Sequence, residues 1–243
     1  MNEPANLPKK KFVIFAQIRT GSNLLRNLFN SHPEIYCEGE IFWDASNKII
    51  KKVTYPYLYL NGRSINISHK KMKKYYGCNI KINQIMRYSD YTSFLDTLYQ
   101  KRWEIVYINR LNIVRQAISE LIAVNRDIWI VDREREYSIN KTYINCQQLM
   151  KRIKLNKHNY DEEQKVLKDV PHLRIVYENE LLNSDKHQDT LDKIFNYLGI
   201  NSVPVKTKLV KTSAENLSDL IENYEEVIET ISKTEYKDFL NYS

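Results

Sequence analysis

Residues 11–33 read KFVIFAQIRTGSNLLRNLFNSHP. The opening KFVIFAQI (11–18) is a short apolar run rich in β-formers and predicts a buried strand. The run stops at Arg19, and Thr20, Gly21 and Ser22 follow at once. From Asn23, the residues Leu24, Leu25, Leu28 and Phe29 fall at helical spacing until NSHP (30–33) ends the pattern. A strand that ends in a glycine-bearing turn and opens a helix makes an anion site. The first N–H groups of the helix have no partner within it, and the helix dipole is positive there. Gly21 permits a tight turn and a close approach to a ligand. Thr20 and Ser22 bring hydroxyls, and Arg19 brings a planar cationic fork. Taken alone, the four residues also fit an ordinary strand-to-helix turn. The string is not G-x-x-x-x-G-K-[ST], which argues against a common ATPase or GTPase.

Further along, CNIKINQI (78–85), EIVYINR (104–110) and residues 173–177 of HLRIVYENELL predict three more strands. Helical stripes follow: Ile113, Ala117, Leu121 and Val124, then Leu191, Ile194, Phe195 and Leu198, closed by Gly199. Thr212 and Glu215 fit a capping box ahead of a helix carrying Leu217, Leu220, Ile221, Tyr224, Ile228 and Ile231. Strands alternating with helices predict an α/β fold with a mostly parallel central sheet flanked by helices. The length of 243 residues fits a single domain, 1–243, with residues 1–10 as a flexible start. Two polar, aromatic and charged stretches, 43–76 and 125–160, fit the alternation poorly and read as insertions.

The formal net charge is +7, which favours anionic ligands. The charge is spread out, and its densest run, KKMKK (70–74), reads as a solvated loop. No compact basic stripe with interleaved aromatics supports nucleic acid as a partner. Cys37, Cys78 and Cys146 are too few and too far apart for a disulfide framework or a zinc site. The start MNEPANLPKKK lacks the apolar core of a signal peptide, and no stretch approaches the roughly 18 apolar residues of a membrane span. These features together predict a cytoplasmic protein. Transient contact with a membrane surface stays open.

A second cluster lies in YINRLNIVRQAISELIA (107–123). Arg110 falls where the third predicted strand ends. Arg115 and Ser119, one turn apart on the following helix, share a face. An arginine and a serine so placed could grip a second phosphate.

In this order the pieces resemble the sulfotransferases that use 3′-phosphoadenosine 5′-phosphosulfate (PAPS). RTGSNLL (19–25) is similar to the 5′-phosphosulfate loop of that family, whose core is [KR]-[ST]-G-[ST]. RLNIVRQAIS (110–119) resembles the 3′-phosphate motif, although its Arg-to-Ser interval is one residue longer than in many members. HPEIYCEGEIF (32–42) resembles the segment in which carbohydrate sulfotransferases carry a glutamate. YENEL (177–181) with IFNYLGI (194–200) resembles the YE-x-L … LG segment. KTSAENLSDLIENYEEV (211–227) is similar to the C-terminal segment of bacterial nodulation-factor and lipopolysaccharide-type members.

The resemblance implies a P-loop-NTPase-like sulfotransferase fold and sulfuryl transfer from PAPS to an acceptor hydroxyl. The product nucleotide would be 3′,5′-ADP, and no metal is needed. It implies donor binding by Arg19, Thr20, Gly21, Ser22, Asn23 and Leu24, with Ser119 and Arg110 or Arg115 at the 3′-phosphate. Lys211 and Thr212 would lie near the nucleotide. The general base would be Glu40, with Glu38 as rival; two residues apart on an extended segment, they would face the same side. Arg19 would neutralise the leaving phosphate. The catalytic histidine of the cytosolic small-molecule enzymes has no convincing equivalent, and His32, before Pro33, reads as a helix end. Lys81 could serve the active-site edge or be a solvated strand-end lysine. The acceptor would be a hydroxyl-bearing small molecule, carbohydrate or glycolipid, bound by the insertions 43–76 and 125–160. Competing readings are a non-catalytic nucleotide- or polyanion-binding module and a P-loop-like kinase. Oligomeric state is not legible.

Overall fold

The computed structural model describes residues 8–43, 56–131, 140–209 and 216–241. The chain divides into two compact units, Met1–Asn109 with Asp161–Thr207, and Arg110–Tyr160 with Lys208–Ser243. In the first, β1 (Lys10–Ala16) lies at the middle of a five-stranded sheet. Every residue from Phe12 to Ala16 is fully buried, as a strand covered on both faces requires. Phe12, Ile14 and Ala16 pack on one face with Leu25, Leu28 and Phe29 of α1 (Ser22–Asn30). Val13 and Phe15 pack on the other, with Tyr76, Ile105 and Trp103. The remaining strands are β2 (Ile35–Glu40), β3 (Tyr75–Ile80), β4 (Trp103–Asn109) and β5 (Leu173–Val176).

The order is β2-β3-β1-β4-β5, and every pairing is parallel. The chain leaves β1 toward one side of the sheet and leaves β4 toward the other. The reversal between those two neighbours is a topological switch point, where ligands of parallel α/β sheets bind at the carboxyl ends of the strands. An all-parallel sheet flanked by helices, with a glycine turn and helix after its central strand, agrees with the predicted α/β, P-loop-like class.

Strand β2 is an edge strand. The side chain of Asn30, the last residue of α1, bonds both the N–H and the carbonyl of Cys37 at 2.7 and 2.8 Å. Its neighbour His32 is buried as a helix end: Nε2 donates to the Asn201 carbonyl, and Nδ1 accepts from the Glu34 N–H.

The predicted strand 78–85 is shorter than expected. β3 stops at Ile80, and Ile82–Ile85 form a short helix α3. The turn is set by Lys81 and Gln84: the Gln84 N–H donates to the Lys81 carbonyl, and the Lys81 N–H donates to Gln84 Oε1. The stretch 43–76 contains α2 (Pro56–Lys71) as well as the start of β3, with Leu60 of α2 in the core. Helix α4 (Phe94–Gln100) and α7 (His187–Leu198) complete this unit; α7 is closed by Gly199 in the left-handed conformation, as predicted.

The second unit is helical. Ile113, Ala117, Leu121 and Ile122 of α5 (Ile113–Arg126) pack with Leu149 and Ile153 of α6 (Cys146–Leu167). Val227 and Ile231 of α8 (Tyr224–Ser232) join them. The single helix predicted across 217–231 is broken into a 3-10 turn at Leu217–Asp219 and α8. Ile221 instead forms a parallel bridge with Thr142, and the Asn223 side chain bonds the N–H and carbonyl of Ile144, each at 2.9 Å. The capping box at Thr212 and Glu215, residues 1–7 of the start expected to be flexible over 1–10, and parts of both insertions, 44–55 and 132–139, lie outside the described residues, while Lys10 already belongs to β1. No described helix is long and apolar enough to cross a membrane, and no described group of His, Cys, Asp or Glu could hold a metal.

Candidate anion-binding site

β1 ends at Ala16, and the chain turns through two left-handed residues, Arg19 (φ 62) and Gly21 (φ 90), into α1. A left-handed backbone at a residue with a Cβ costs about 1–2 kcal/mol, and such strain gathers where geometry serves a ligand. Gly21 is required twice over. Its φ disfavours a side chain, and an added Cβ would lie 2.7 Å from Cδ2 of Tyr177. Tyr177 therefore packs its ring directly against the turn. It begins the π-turn Tyr177–Leu181, whose Glu180 accepts from the Val176 N–H.

Gly21 is the cap residue of α1 and supplies no side-chain cap, and the first turn holds no acidic residue, so the positive end of the helix dipole has no carboxylate of its own. The hydroxyls of the turn are used differently from expectation. Thr20 is buried, and its Oγ1 donates to the Gln17 carbonyl at 2.8 Å, which closes the turn on itself. Ser22 Oγ accepts from Lys81 Nζ and keeps its own proton to donate. Asn23 and Leu24 follow in the first helical turn, half-buried.

Lys81 is the largest addition to the site as read from sequence. It is only 1% exposed. From the end of β3 its ammonium also reaches the Gln17 carbonyl, at 3.1 Å. Burial pushes its pKa down to about 8, against the opposing pull of the Glu40 and Glu163 carboxylates. A lysine from another strand thus lies under a turn that has no lysine of its own.

Behind it lies Glu163, fully buried on the last turns of α6. One of its oxygens accepts from Gln17 Nε2 at 3.1 Å and from the Tyr107 hydroxyl at 3.0 Å. The other is buried with no hydrogen-bond partner. Burial raises its pKa to about 8, with Gln17, Tyr107 and Lys81 pulling the other way. Sequence reasoning missed Glu163 inside the polar run YDEEQ (160–164). The signal that could have found it is helical spacing, since Val166, Leu167 and Val170 lie three, four and seven residues on and are all in the core.

The two candidate bases do not face the same side. A bulge at Gly39 pairs Glu38 with Cys78 and Glu40 with Asn79, the very next residue of β3. An extra residue in one strand breaks the two-residue alternation. Glu38 is bound by both sides of the Arg63 guanidinium edge, with Nε at 2.9 Å, and accepts from the Tyr76 hydroxyl at 2.7 Å. Glu40 accepts from Gln84 Nε2 at 2.8 Å. Gln84 also accepts from the Lys81 N–H, so one amide connects Glu40 to the residue under the turn.

The structure brings Arg19, Thr20, Gly21, Ser22, Asn23 and Leu24 into one turn, and holds Glu40 and Lys81 at the carboxyl ends of the strands beside it. Arg110, Arg115 and Ser119 belong to the second unit, where they lie half-buried, Arg110 ahead of α5, Arg115 in its first turn and Ser119 at its middle. Asn112 caps that helix by accepting from the Arg115 N–H at 2.9 Å. Lys211 and Thr212 lie outside the described residues.

No family model matches the chain, and no curated protein sequence matches it. Among solved structures the chain is similar to a sulfotransferase from Alicyclobacillus acidocaldarius, with 16% identity over 97% of this chain and 96% of that one and a TM-score of 0.49. It is also similar to a shikimate kinase from Bacteroides thetaiotaomicron, with 8% identity over 79% and 99% of the two chains and a TM-score of 0.44. At these scores neither likeness carries an activity over to this chain.

Proposed function

We propose that this protein is a sulfotransferase that moves the sulfuryl group of PAPS to a hydroxyl of a carbohydrate, glycolipid or similar small acceptor. The observation that carries the reading is the turn after β1: two left-handed residues, an uncapped helix start, the Ser22 hydroxyl and an ammonium from Lys81. Such donors suit a phosphosulfate, and the turn lacks the lysine by which common NTPases grip a γ-phosphate. PAPS would supply an activated sulfuryl group on a phosphate leaving group, and it needs no metal.

In this reading Arg19 and the amides after Gly21 hold the 5′-phosphosulfate and neutralise charge on the leaving oxygen. Ser22 donates to the same group. Ser119, with Arg110 or Arg115, holds the 3′-phosphate, and Lys211 and Thr212 flank the nucleotide. Glu40 accepts the acceptor's hydroxyl proton. Among the described residues its lone pairs are engaged by a single amide, whereas those of Glu38 are taken by a guanidinium and a phenol. The stretches 43–76 and 125–160 bind the acceptor.

The test is retention on immobilised 3′,5′-ADP. Elution by PAPS and not by ATP or DNA supports the reading. Elution by ATP points to a kinase, elution by DNA to a polyanion-binding module, and failure to bind overturns the proposal.

A further inference from the structure

We propose that Arg26 is a further catalytic residue, whose guanidinium takes the oxygens of the sulfuryl group in transit between donor and acceptor. The inference rests on the sulfotransferase reading above.

Arg26 lies one helical turn beyond Ser22 on α1, so the two share a face. Ser22 is the residue whose hydroxyl meets Lys81 under the turn. On its other side Arg26 meets Gly39: a Cβ added there would lie 2.7 Å from Nη1 of Arg26. The guanidinium therefore lies against the backbone of the bulge that separates Glu38 from Glu40. Neither glutamate takes it up. Glu38 is committed to Arg63 and Tyr76, and Glu40 to Gln84. Among the described residues the Arg26 side chain makes no hydrogen bond and no ion pair.

A half-buried guanidinium with its donors unspent by protein groups can give them to an anion that enters beside it. Its charge is felt inside the site, where it adds to the downward push on the Lys81 ammonium. Two cationic side chains, Lys81 against Ser22 and Arg26 against Gly39, thus lie between the turn and the bulge. An anion with several oxygens balances that excess.

A sulfuryl group in flight is such an anion. As the acceptor oxygen bonds to sulfur, its proton passes to Glu40. The bond from sulfur to the phosphate oxygen breaks, and its electron pair stays with the phosphate. The three sulfuryl oxygens keep their charge throughout and need donors that belong to neither end. A planar fork on the rigid first turns of a helix meets that need.

The experiment compares the affinities of PAPS and 3′,5′-ADP, which differ by the sulfuryl group, for wild type, Arg26→Gln and Gly39→Ala. In Gly39→Ala the arginine is kept and its guanidinium is pushed off the bulge. Circular dichroism and melting confirm that each variant is folded. Loss of a charged hydrogen bond is worth about 1.5–3 kcal/mol, so PAPS affinity should fall about 10- to 100-fold. Affinity for 3′,5′-ADP should stay at the wild-type value in both variants. Equal loss for the two nucleotides, or no loss for either, overturns the role of Arg26. Wild type that binds neither nucleotide overturns the sulfotransferase reading itself, which is a separate result.

Discussion

Two carboxylates flank Gly39, and the protein treats them in opposite ways. Glu38 is wrapped by Arg63 and Tyr76, donors from α2 and β3. Glu40, a single bulge away, has the Gln84 amide as its one side-chain hydrogen-bond partner among the described residues. The difference teaches what fits a carboxylate for proton transfer. A group whose lone pairs are all engaged holds structure together, and one with lone pairs to spare can accept a proton. The bulge makes the division, because it turns neighbours on one strand toward different partners.

The largest expected effect breaks the Glu40 side. Glu40→Gln should lower turnover by about 10²–10⁴, the usual worth of a general base, with 3′,5′-ADP affinity retained. Steady-state kinetics and nucleotide titration on one preparation check both halves. Near-normal turnover would remove Glu40 from the reaction. Arg19→Ala comes next, with a loss of about 10²–10³ in turnover from a missing charge stabiliser. A folded Arg19→Ala protein of normal rate would contradict the role proposed for the turn.

For the 3′-phosphate, Ser119→Ala and Arg110→Ala should weaken 3′,5′-ADP by about 10- to 100-fold, as expected for charged hydrogen bonds. Binding of 5′-AMP should change little. Loss for both nucleotides alike would place these residues elsewhere. Glu38→Gln sharpens the comparison from its quiet side. Chemical denaturation should show a loss of about 1–2 kcal/mol from the broken, partly exposed cluster, with turnover close to normal. If Glu38→Gln abolishes turnover in a folded protein, the assignment of the two glutamates is reversed.

The smallest effect is in the pH dependence of stability. Glu163 has its pKa raised from 4.5 to about 8, so the folded state holds a proton that the unfolded state releases between those values. Stability should fall as pH rises through that window. Lys81 has its pKa lowered from 10.5 to about 8, so the unfolded state holds the extra proton above pH 8, and stability should rise there. Glu163→Gln should flatten the fall and leave the rise. A melting profile that keeps the fall in this variant would mean another group is responsible.

The turn at Arg19–Ser22 was legible because everything that makes it is local: an apolar run, a glycine and a helical stripe in one short stretch. β4 and α7 were legible for the same reason. Edge strand β2 was harder to read, since IYCEGE carries few apolar residues and depends on the Asn30 latch. Lys81 and Glu163 were obscure for a different reason. A charged residue looks solvated in sequence, and only tertiary placement buries these two beneath the turn. The break in the predicted C-terminal helix is likewise tertiary, because Asn223 spends its side chain on Ile144, a residue far back in the chain. The bulge at Gly39 left no trace beyond a glycine between two glutamates.

Cys37 and Cys78 lie fully enclosed on the neighbouring strands β2 and β3, and enclosure drives both thiols well above their ordinary pKa. A thiol that cannot ionise does not react with alkylating reagents. Cys146, on the helical unit, is partly accessible and has the first claim on any such reagent. Cys37 and Cys78 lie in the cores on opposite faces of the sheet, so the second and third alkylation events require the cover on each face to open, and their rates count how often it does. The molecule carries its own clock for that opening, readable by mass, beside the bulge on which the proposed chemistry depends.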